Sequence, residues 1–416
     1  MRILQIVHQY LPEKIGGTEL YTRWLSQGLA SRGRQISVFY RRDASGRGLN
    51  RRDDAGGVRV WAVRSGKLSP ARRFAATIHE PHIHAEFCRV LAQAQPQLVH
   101  IQHLQGLPVS LVDHLQQHNI PFIITLHDFW WICANAQLLT NYDQSLCSGP
   151  QAFLNCARCA LARSGHKRLW PAMPLLAPPL AHRNRLLRGA LKAAARLIAP
   201  SNFVRRWYEV HGAPSGKLHE IPHGLETAGS APGTRSKPTS KVRFTYIGGL
   251  SWQKGVHLVL EAFQDLPAGA ELWIVGDDTG DPTYVTALKS LASGQVRFQG
   301  RQSRQQIWKT LSQTDVVVVP SLWYEAYAFV VSEAFAARVP VVASHIGTLA
   351  DRVRHEVDGL LVPPGDVSGW RDALARFLQE PDLAPRLRAG IQPVKTLEDH
   401  VTEIDALYAL VLQETR

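Results

Sequence analysis

Residues 316–343 constrain the fold more than any other stretch of the chain. A run of four valines leads into a loop carrying Glu325, then a segment with Glu333 among Val330, Val331, Ala334 and Phe335, then a second apolar run ending at Ala343. A short β-branched run bounded by proline predicts a strand covered on both faces, and strand, helix, strand in this span makes a βαβ unit. The helix is expected to begin near Ala328. That leaves the backbone N–H groups of Ala328, Phe329 and Val330 at the carboxyl end of the strand, where they form an anion site. Glu325 in the loop and Glu333 one to two turns into the helix then flank one phosphate-sized pocket. Acids beside an anion site answer something other than the anion, and sugar or ribose hydroxyls fit. The plainer alternative, two solvated acids, suits Glu333 poorly because its neighbours are apolar.

The chain of 416 residues is too long for one compact core and fits two domains. Arg2 opens directly into an apolar strand, which argues against a signal peptide, and no apolar run approaches the length of a membrane span. The expected compartment is the cytoplasm. Charge is unevenly spread: residues 1–225 hold 28 Lys and Arg against 12 Asp and Glu, whereas the remainder holds 19 against 22. Such asymmetry predicts an anionic partner for the first half. Nucleic-acid modules leave no pattern here, so the expectation is an anionic membrane surface.

Taken in order, residues 2–7 predict a strand, then a loop, then a helix from Thr18 to Arg32. Gly16 and Gly17 before that helix let a backbone approach a phosphate, or merely turn the chain. Further strands are expected at 36–40 and 58–63, with a basic loop between them, and a single helix at 75–93. Strands at 98–103 and 122–126 follow, and the second ends in His127 and Asp128. A histidine at the carboxyl end of a parallel strand points to the crevice where open α/β sheets bind ligands; a core histidine beside Asp128 is the other account. Cys133, Cys147, Cys156 and Cys159 are closely spaced, and in a reducing compartment they suggest a structural zinc site. Their gaps fit no standard zinc module, so four buried free thiols are also consistent, and neither gives them a part in the chemistry. Residues 158–196 interleave arginine and lysine with an apolar, proline-broken patch suited either to an anionic interface or to packing on its own domain.

Residues 226–241 are rich in Gly, Pro, Ser and Thr and predict a linker. A second βα series starts at Val242, and a final amphipathic helix from Leu397 is expected to cross back to the first domain. The fold class is therefore α/β, with two doubly wound Rossmann-like domains expected to face each other across a cleft: 1–225, a linker at 226–241, then 242–395, with 396–416 as the returning helix. Where the second series opens, Gly248, Gly249, Lys254 and Gly255 sit between strand and helix, a place suited to a diphosphate. Asp277, Asp278 and Asp281 lack the Asp-X-Asp form of a metal-dependent transferase and suggest a polar turn. Helix dipoles and Lys254 are then left to stabilise a departing diphosphate.

The spacing from Glu325 to Glu333, followed by AFAARVPVVAS, resembles the donor-site motif of the retaining nucleotide-sugar glycosyltransferases of family four, which have the GT-B fold. Lys254 and Gly255, Pro222-His223-Gly224, Gly16-Gly17 and His127 also match that family, so the resemblance covers nearly the whole chain. It implies a first domain that binds a saccharide or lipid-linked acceptor and a second that binds a nucleoside diphosphate sugar, with no catalytic cofactor. It further implies that Glu333 binds ribose hydroxyls, Lys254 the diphosphate, Glu325 and nearby backbone the donor sugar, and His127 the sugar in the reacting pocket. Four positions depart from the pattern: Gly249 stands where arginine is usual, and Ala326, Ala328 and Arg338 stand where glycines are common. The implied activity is a cytoplasmic, peripherally membrane-bound hexosyltransferase of surface polysaccharide synthesis. A sugar-nucleotide epimerase and a non-catalytic sugar-nucleotide-binding protein are the rivals.

Overall fold

The structure, a computed structural model, describes residues 1–227, 241–278 and 280–415. The segment expected to be a linker, 226–241, is thus described only at its two ends. The chain divides into two compact units, one made of Met1–Gly224 with Thr396–Arg416 and the other of Leu225–Lys395.

The first unit has eight strands, β1 (Arg2–Val7), β2 (Gln35–Asp43), β3 (Gly48–Asp54), β4 (Val58–Ser65), β5 (Leu98–Ile101), β6 (Phe122–Thr125), β7 (Arg196–Ala199) and β8 (Leu218–Glu220). Their order is β3-β4-β2-β1-β5-β6-β7-β8. All neighbours pair in parallel except β3, which runs antiparallel to β4. Among the described residues up to Gly224, seven α-helices accompany them: α1 (Gly17–Ser31), α2 (Pro70–Ile78), α3 (Pro81–Ala94), α4 (Ser110–Gln117), α5 (Leu154–Arg163), α6 (Met173–Ala193) and α7 (Asn202–Val210).

Two expectations change here, and a stretch left open between two readings takes the form of a helix packed on its own domain. The basic loop expected between 41 and 57 contains β3, whose mostly polar residues, exposed or half-buried, zip onto β4 through the backbone, so its side chains carry little strand signal. The helix expected over 75–93 is two, because Pro81 has no N–H to continue a helix and starts a new one instead. The proline-broken patch within 158–196 contains a helix of 21 residues that runs through Pro178 and Pro179. Its face of Leu180, Leu187, Ala190 and Leu191 is buried, and that burial offsets the backbone bonds the prolines remove.

The helix Leu397–Glu414 belongs to this first unit. Thr396 caps it, and Tyr408 sits within hydrogen-bond distance of buried His100 and Gln5. Arg34 forms a two-pronged pair with Asp405.

In the second unit the strands are β9 (Val242–Ile247), β10 (Ala270–Val275), β11 (Val296–Gly300), β12 (Val316–Val319), β13 (Val341–Ser344) and β14 (Gly359–Val362), all parallel in the order β11-β10-β9-β12-β13-β14. The helices are α8 (Val256–Gln264), α9 (Pro282–Leu291), α10 (Arg304–Leu311), α11 (Phe329–Ala336), α12 (Gly347–Arg352), α13 (Val367–Gln379) and α14 (Leu383–Gly390). The valine run is apolar throughout because both faces of β12 are covered. Val316 and Val318 join one core cluster with Phe244 and Trp370, whereas Val317 and Val319 join another with Val331 and Leu349. Strand order reverses between β1 and β5 in the first unit and between β9 and β12 in the second. In such sheets ligands bind outside the carboxyl ends of the strands at that reversal.

Candidate active site

In the second unit the loops that follow β9 and β12 press together. Gly255 has a left-handed backbone (φ +70°), and a Cβ there would overlap the Pro320 carbonyl, so only glycine lets the loop carrying Lys254 lie this close to the end of β12. Lys254 Nζ consequently stands 2.7 Å from Glu325 Oε1, the same oxygen that accepts from Trp323 Nε1 at 2.8 Å and Ser321 Oγ at 2.9 Å. Burial pushes the pKa of Glu325 up, but the Lys254 charge and these hydrogen bonds outweigh it and hold the carboxyl below its usual range. Glu333, 7% exposed on α11, pairs through Oε1 with Arg304 at 2.5 Å. Arg304 also donates to the Glu226 carbonyl at 3.1 Å. Each acid thus has its own cation, Lys254 for Glu325 and Arg304 for Glu333. Carboxylates this buried are costly unless paired, and the cations come from distant parts of the sequence.

The start of α11 is built with care. Ala328 is its N-cap residue, in a left-handed conformation (φ 57°, ψ 72°) that a side chain disfavours. Arg352 braces it from α12, donating to the carbonyls of Tyr327 and Ala328 and, at 2.6 Å, to Ser332 Oγ, with its guanidinium 4.0 Å over the Tyr327 ring. Arg338 is left-handed as well (φ 58°) and is tied to the Ile391 and Arg388 carbonyls. Of the three positions that resemble glycine sites in the family, Ala328 and Arg338 thus keep the glycine-like backbone, with arginines holding it, whereas Ala326 does not have a positive φ. Gly249 differs: a Cβ there would meet nothing within 4 Å, so this site has room for a side chain. The acidic turn after β10 is spent on local structure, as Asp281 caps α9, Asp278 pairs with Lys289 and Asp277 with Arg301.

In the first unit, histidines gather at the strand ends that flank the reversal of strand order. His8 follows β1, His103 follows β5, and His127 follows β6. The His8 and His103 rings lie 4.5 Å apart; His8 Nε2 is 3.5 Å from Glu19 and His103 Nε2 is 3.1 Å from Asp128. His127 Nε2 bonds Gln102 Oε1 at 2.7 Å, and its ring meets those of Tyr21 and His223. Burial, then the neighbouring His103, lowers the pKa of both His8 and His127 well below that of a free histidine, so both are neutral at pH 7. Burial raises the pKa of Glu19. Asp128, which the sequence offered as a partner for His127, belongs to His103, whose charge and hydrogen bond outweigh burial and lower the Asp128 pKa. At Gly16, whose backbone is extended, an added Cβ would sit 2.6 Å from Glu19 Oε2, the movable tip of the side chain that faces His8. Gly17 is the first residue of α1.

Cys133, Cys147, Cys156 and Cys159 line one cavity of about 480 Å³ together with Trp130 and Arg183. The zinc expectation does not fit their geometry. Cys159 Sγ accepts from Asn141, and Cys147 Sγ from Gly149 and Asn155. Burial raises the thiols of Cys147, Cys156 and Cys159, Cys156 to about 12 and Cys159 to about 11, so these three are protonated. Among the described residues, the group of His, Cys, Asp or Glu whose ligand atoms all lie within 4.8 Å of one another is elsewhere.

Two family models match the chain, "Glycosyltransferase Family 4" over residues 15–228 and "Glycosyl transferases group 1" over residues 232–392. The chain belongs to these GT-B glycosyltransferases. Glycogen synthase of Mycobacterium tuberculosis is 25% identical over 93% of this chain and 88% of its own length. D-inositol 3-phosphate glycosyltransferase of Mycolicibacterium paratuberculosis is 30% identical, over 49% of each chain. Among solved structures, sucrose-phosphate synthase from Thermosynechococcus elongatus aligns at a TM-score of 0.77 with 20% identity, over 99% of both chains. Anabaena HepE, solved with UDP and glucose, aligns at 0.67 with 17% identity, over 99% of this chain and all of its own. These structures share the fold of the glycosyltransferase.

Within this glycosyltransferase the structure joins Lys254 to Glu325 and sets Glu333 on α11 beside Arg304. His127 lies in the other unit. Sequence reasoning missed His8, Glu19, His103, Arg304 and Arg352. The first and third were findable, since each directly or closely follows a parallel strand next to the point where strand order reverses.

Proposed function

We propose that the chain is a retaining hexosyltransferase of family four that uses a nucleoside diphosphate sugar and a saccharide or lipid-linked saccharide acceptor in surface polysaccharide synthesis. The observation that carries this is the Lys254–Glu325 pair at the β9/β12 reversal, beside the amino end of α11. It supplies a fixed ammonium and helix dipole for a diphosphate, and an ionised carboxylate for sugar hydroxyls. Donor entry draws Lys254 toward the phosphates, while Trp323 and Ser321 keep Glu325 hydrogen-bonded. Glu333 takes the ribose hydroxyls in exchange for Arg304.

In the reaction the bond between the sugar's anomeric carbon and the diphosphate oxygen breaks, and the acceptor oxygen bonds that carbon from the same face. The acceptor proton passes to the leaving diphosphate oxygen, so no separate base is required. Neutral His127 contributes a hydrogen bond to the sugar and no charge. Lipid-linked acceptors would suit an anionic membrane surface, toward which exposed Leu169 and Leu175 with Arg168, Arg185 and Arg188 would turn. No helix among the described residues is long and apolar enough to cross a membrane.

A thermal-shift screen of nucleoside diphosphates and their sugars, with UDP and ADP forms first, names the donor. NMR of the product then reads its anomeric configuration. An inverted product removes the retaining mechanism, a new epimer of the donor without acceptor favours the epimerase, and binding without turnover across an acceptor panel favours the non-catalytic protein.

A further inference from the structure

Away from both strand-end clusters, α3 and α4 of the first unit bring together a second set of donors. His84 and Cys88 are four residues apart on α3, and so project from one face of the helix. His114 comes from α4. One ligand atom from each of these three residues lies within 4.8 Å of the other two. Cys88 Sγ is 3.7 Å from both ring nitrogens of His114, and the His84 and His114 rings meet edge to face at 5.4 Å. Donors on one tetrahedral zinc, with Zn–N of about 2.0–2.1 Å and Zn–S of about 2.3 Å, stand roughly 3.5 Å apart, so closing the set needs only small side-chain adjustments.

The surroundings fit a metal too. Ser110 Oγ lies 3.2 Å from His84 Nδ1 and orients that ring, as a partner outside the coordination sphere does at metal sites. The His114 ring stacks on His118, the residue just past the end of α4, with centroids 4.1 Å apart. All three side chains are half-buried, open enough for an ion to enter.

We propose that His84, Cys88 and His114 bind one zinc ion, with water in the fourth position, and so clip α3 to α4. Two imidazoles and a thiolate are a donor set for borderline-soft divalent ions, and without a carboxylate the set disfavours magnesium and calcium. Binding displaces the thiol proton of Cys88 to solvent as the Zn–S bond forms. The site does not depend on the donor reading, because none of its residues belongs to the clusters described above.

The test is a zinc titration of chelator-treated full-length protein against a competing colorimetric chelator, alongside cobalt absorption spectra and melting curves. Expected are one equivalent of zinc, a thiolate-to-cobalt charge-transfer band, and a raised Tm with zinc. Cys88→Ser and His114→Ala should each lose all three while retaining the wild-type circular dichroism spectrum. A Cys156→Ser/Cys159→Ser variant should keep them. Zinc bound equally well by Cys88→Ser and His114→Ala, zinc lost only in the Cys156/Cys159 variant, or no zinc bound at all would each overturn the assignment.

Discussion

The two units handle buried polarity in opposite ways. At its strand ends the first unit crowds imidazoles together, and burial, with His103 as the neighbour felt most by each, keeps His8 and His127 uncharged. The second buries full charges and neutralises them one by one, Lys254 with Glu325 and Arg304 with Glu333. The difference teaches what each surface is ready for. Neutral rings offer hydrogen bonds to a neutral saccharide, whereas paired charges can be exchanged for a doubly anionic ligand.

The largest effect that would break this contrast is at Lys254. Lys254→Ala should lower turnover by about a hundredfold and weaken nucleoside diphosphate binding, while leaving Glu325 buried without its cation and lowering Tm. Lys254→Ala/Glu325→Gln should recover the Tm but not the turnover, a separation that calorimetry and initial rates would read. The pH dependence has a definite sign. Glu325 has a folded pKa below its ordinary value of 4.5, so its contribution to stability is present above about pH 4.5 and is lost as pH falls through the lowered folded value. The Tm gap between wild type and Lys254→Ala should therefore close in acid. A gap that persists unchanged well below pH 4 would contradict the pairing.

Next comes His127. Its replacement by glutamine should reduce turnover roughly tenfold to a hundredfold with little change in nucleotide affinity, since the ring is a hydrogen-bonding group in the other unit. In NMR titrations its ring protons should shift well below pH 6.5, and a midpoint near 6.5 would erase the stated difference between the units.

A smaller effect is expected at the start of α11. Arg352→Ala should raise the donor KM by roughly tenfold, because the left-handed Ala328 loses the bonds that hold it. Adding Ala328→Gly should restore much of the loss, since glycine adopts that backbone freely. Failure of the glycine to rescue would mean that Arg352 acts by some route other than Ala328. Smallest of all, Gly249→Arg should leave Tm unchanged and tighten nucleoside diphosphate binding by roughly threefold, as one more partly solvated cation contributes under ~1 kcal/mol.

The alternation of strands and helices was legible because buried parallel strands must be apolar on both faces, as Val316–Val319 are. β3 was not, since a polar strand held by backbone bonds looks like a solvated loop. At the site, Glu325, Glu333, Lys254 and His127 stood out by their places beside strands and helix starts. Their partners did not, because Lys254 finds Glu325 across 71 residues and Arg304 finds Glu333 across 29. No local pattern encodes a pairing that only the sheet order creates. Arg352 was hidden for the same reason, as its purpose is visible only once Ala328 is known to be left-handed.

The first unit takes back Thr396–Arg416, and Tyr408 reaches the middle of its sheet at His100 and Gln5. A nascent chain therefore holds an unfinished amino-terminal half, with part of its interior uncovered, throughout the time that residues 225–395 leave the ribosome. The half translated second is free to mature first. A premature stop codon before Tyr408 would injure the product at its opposite end.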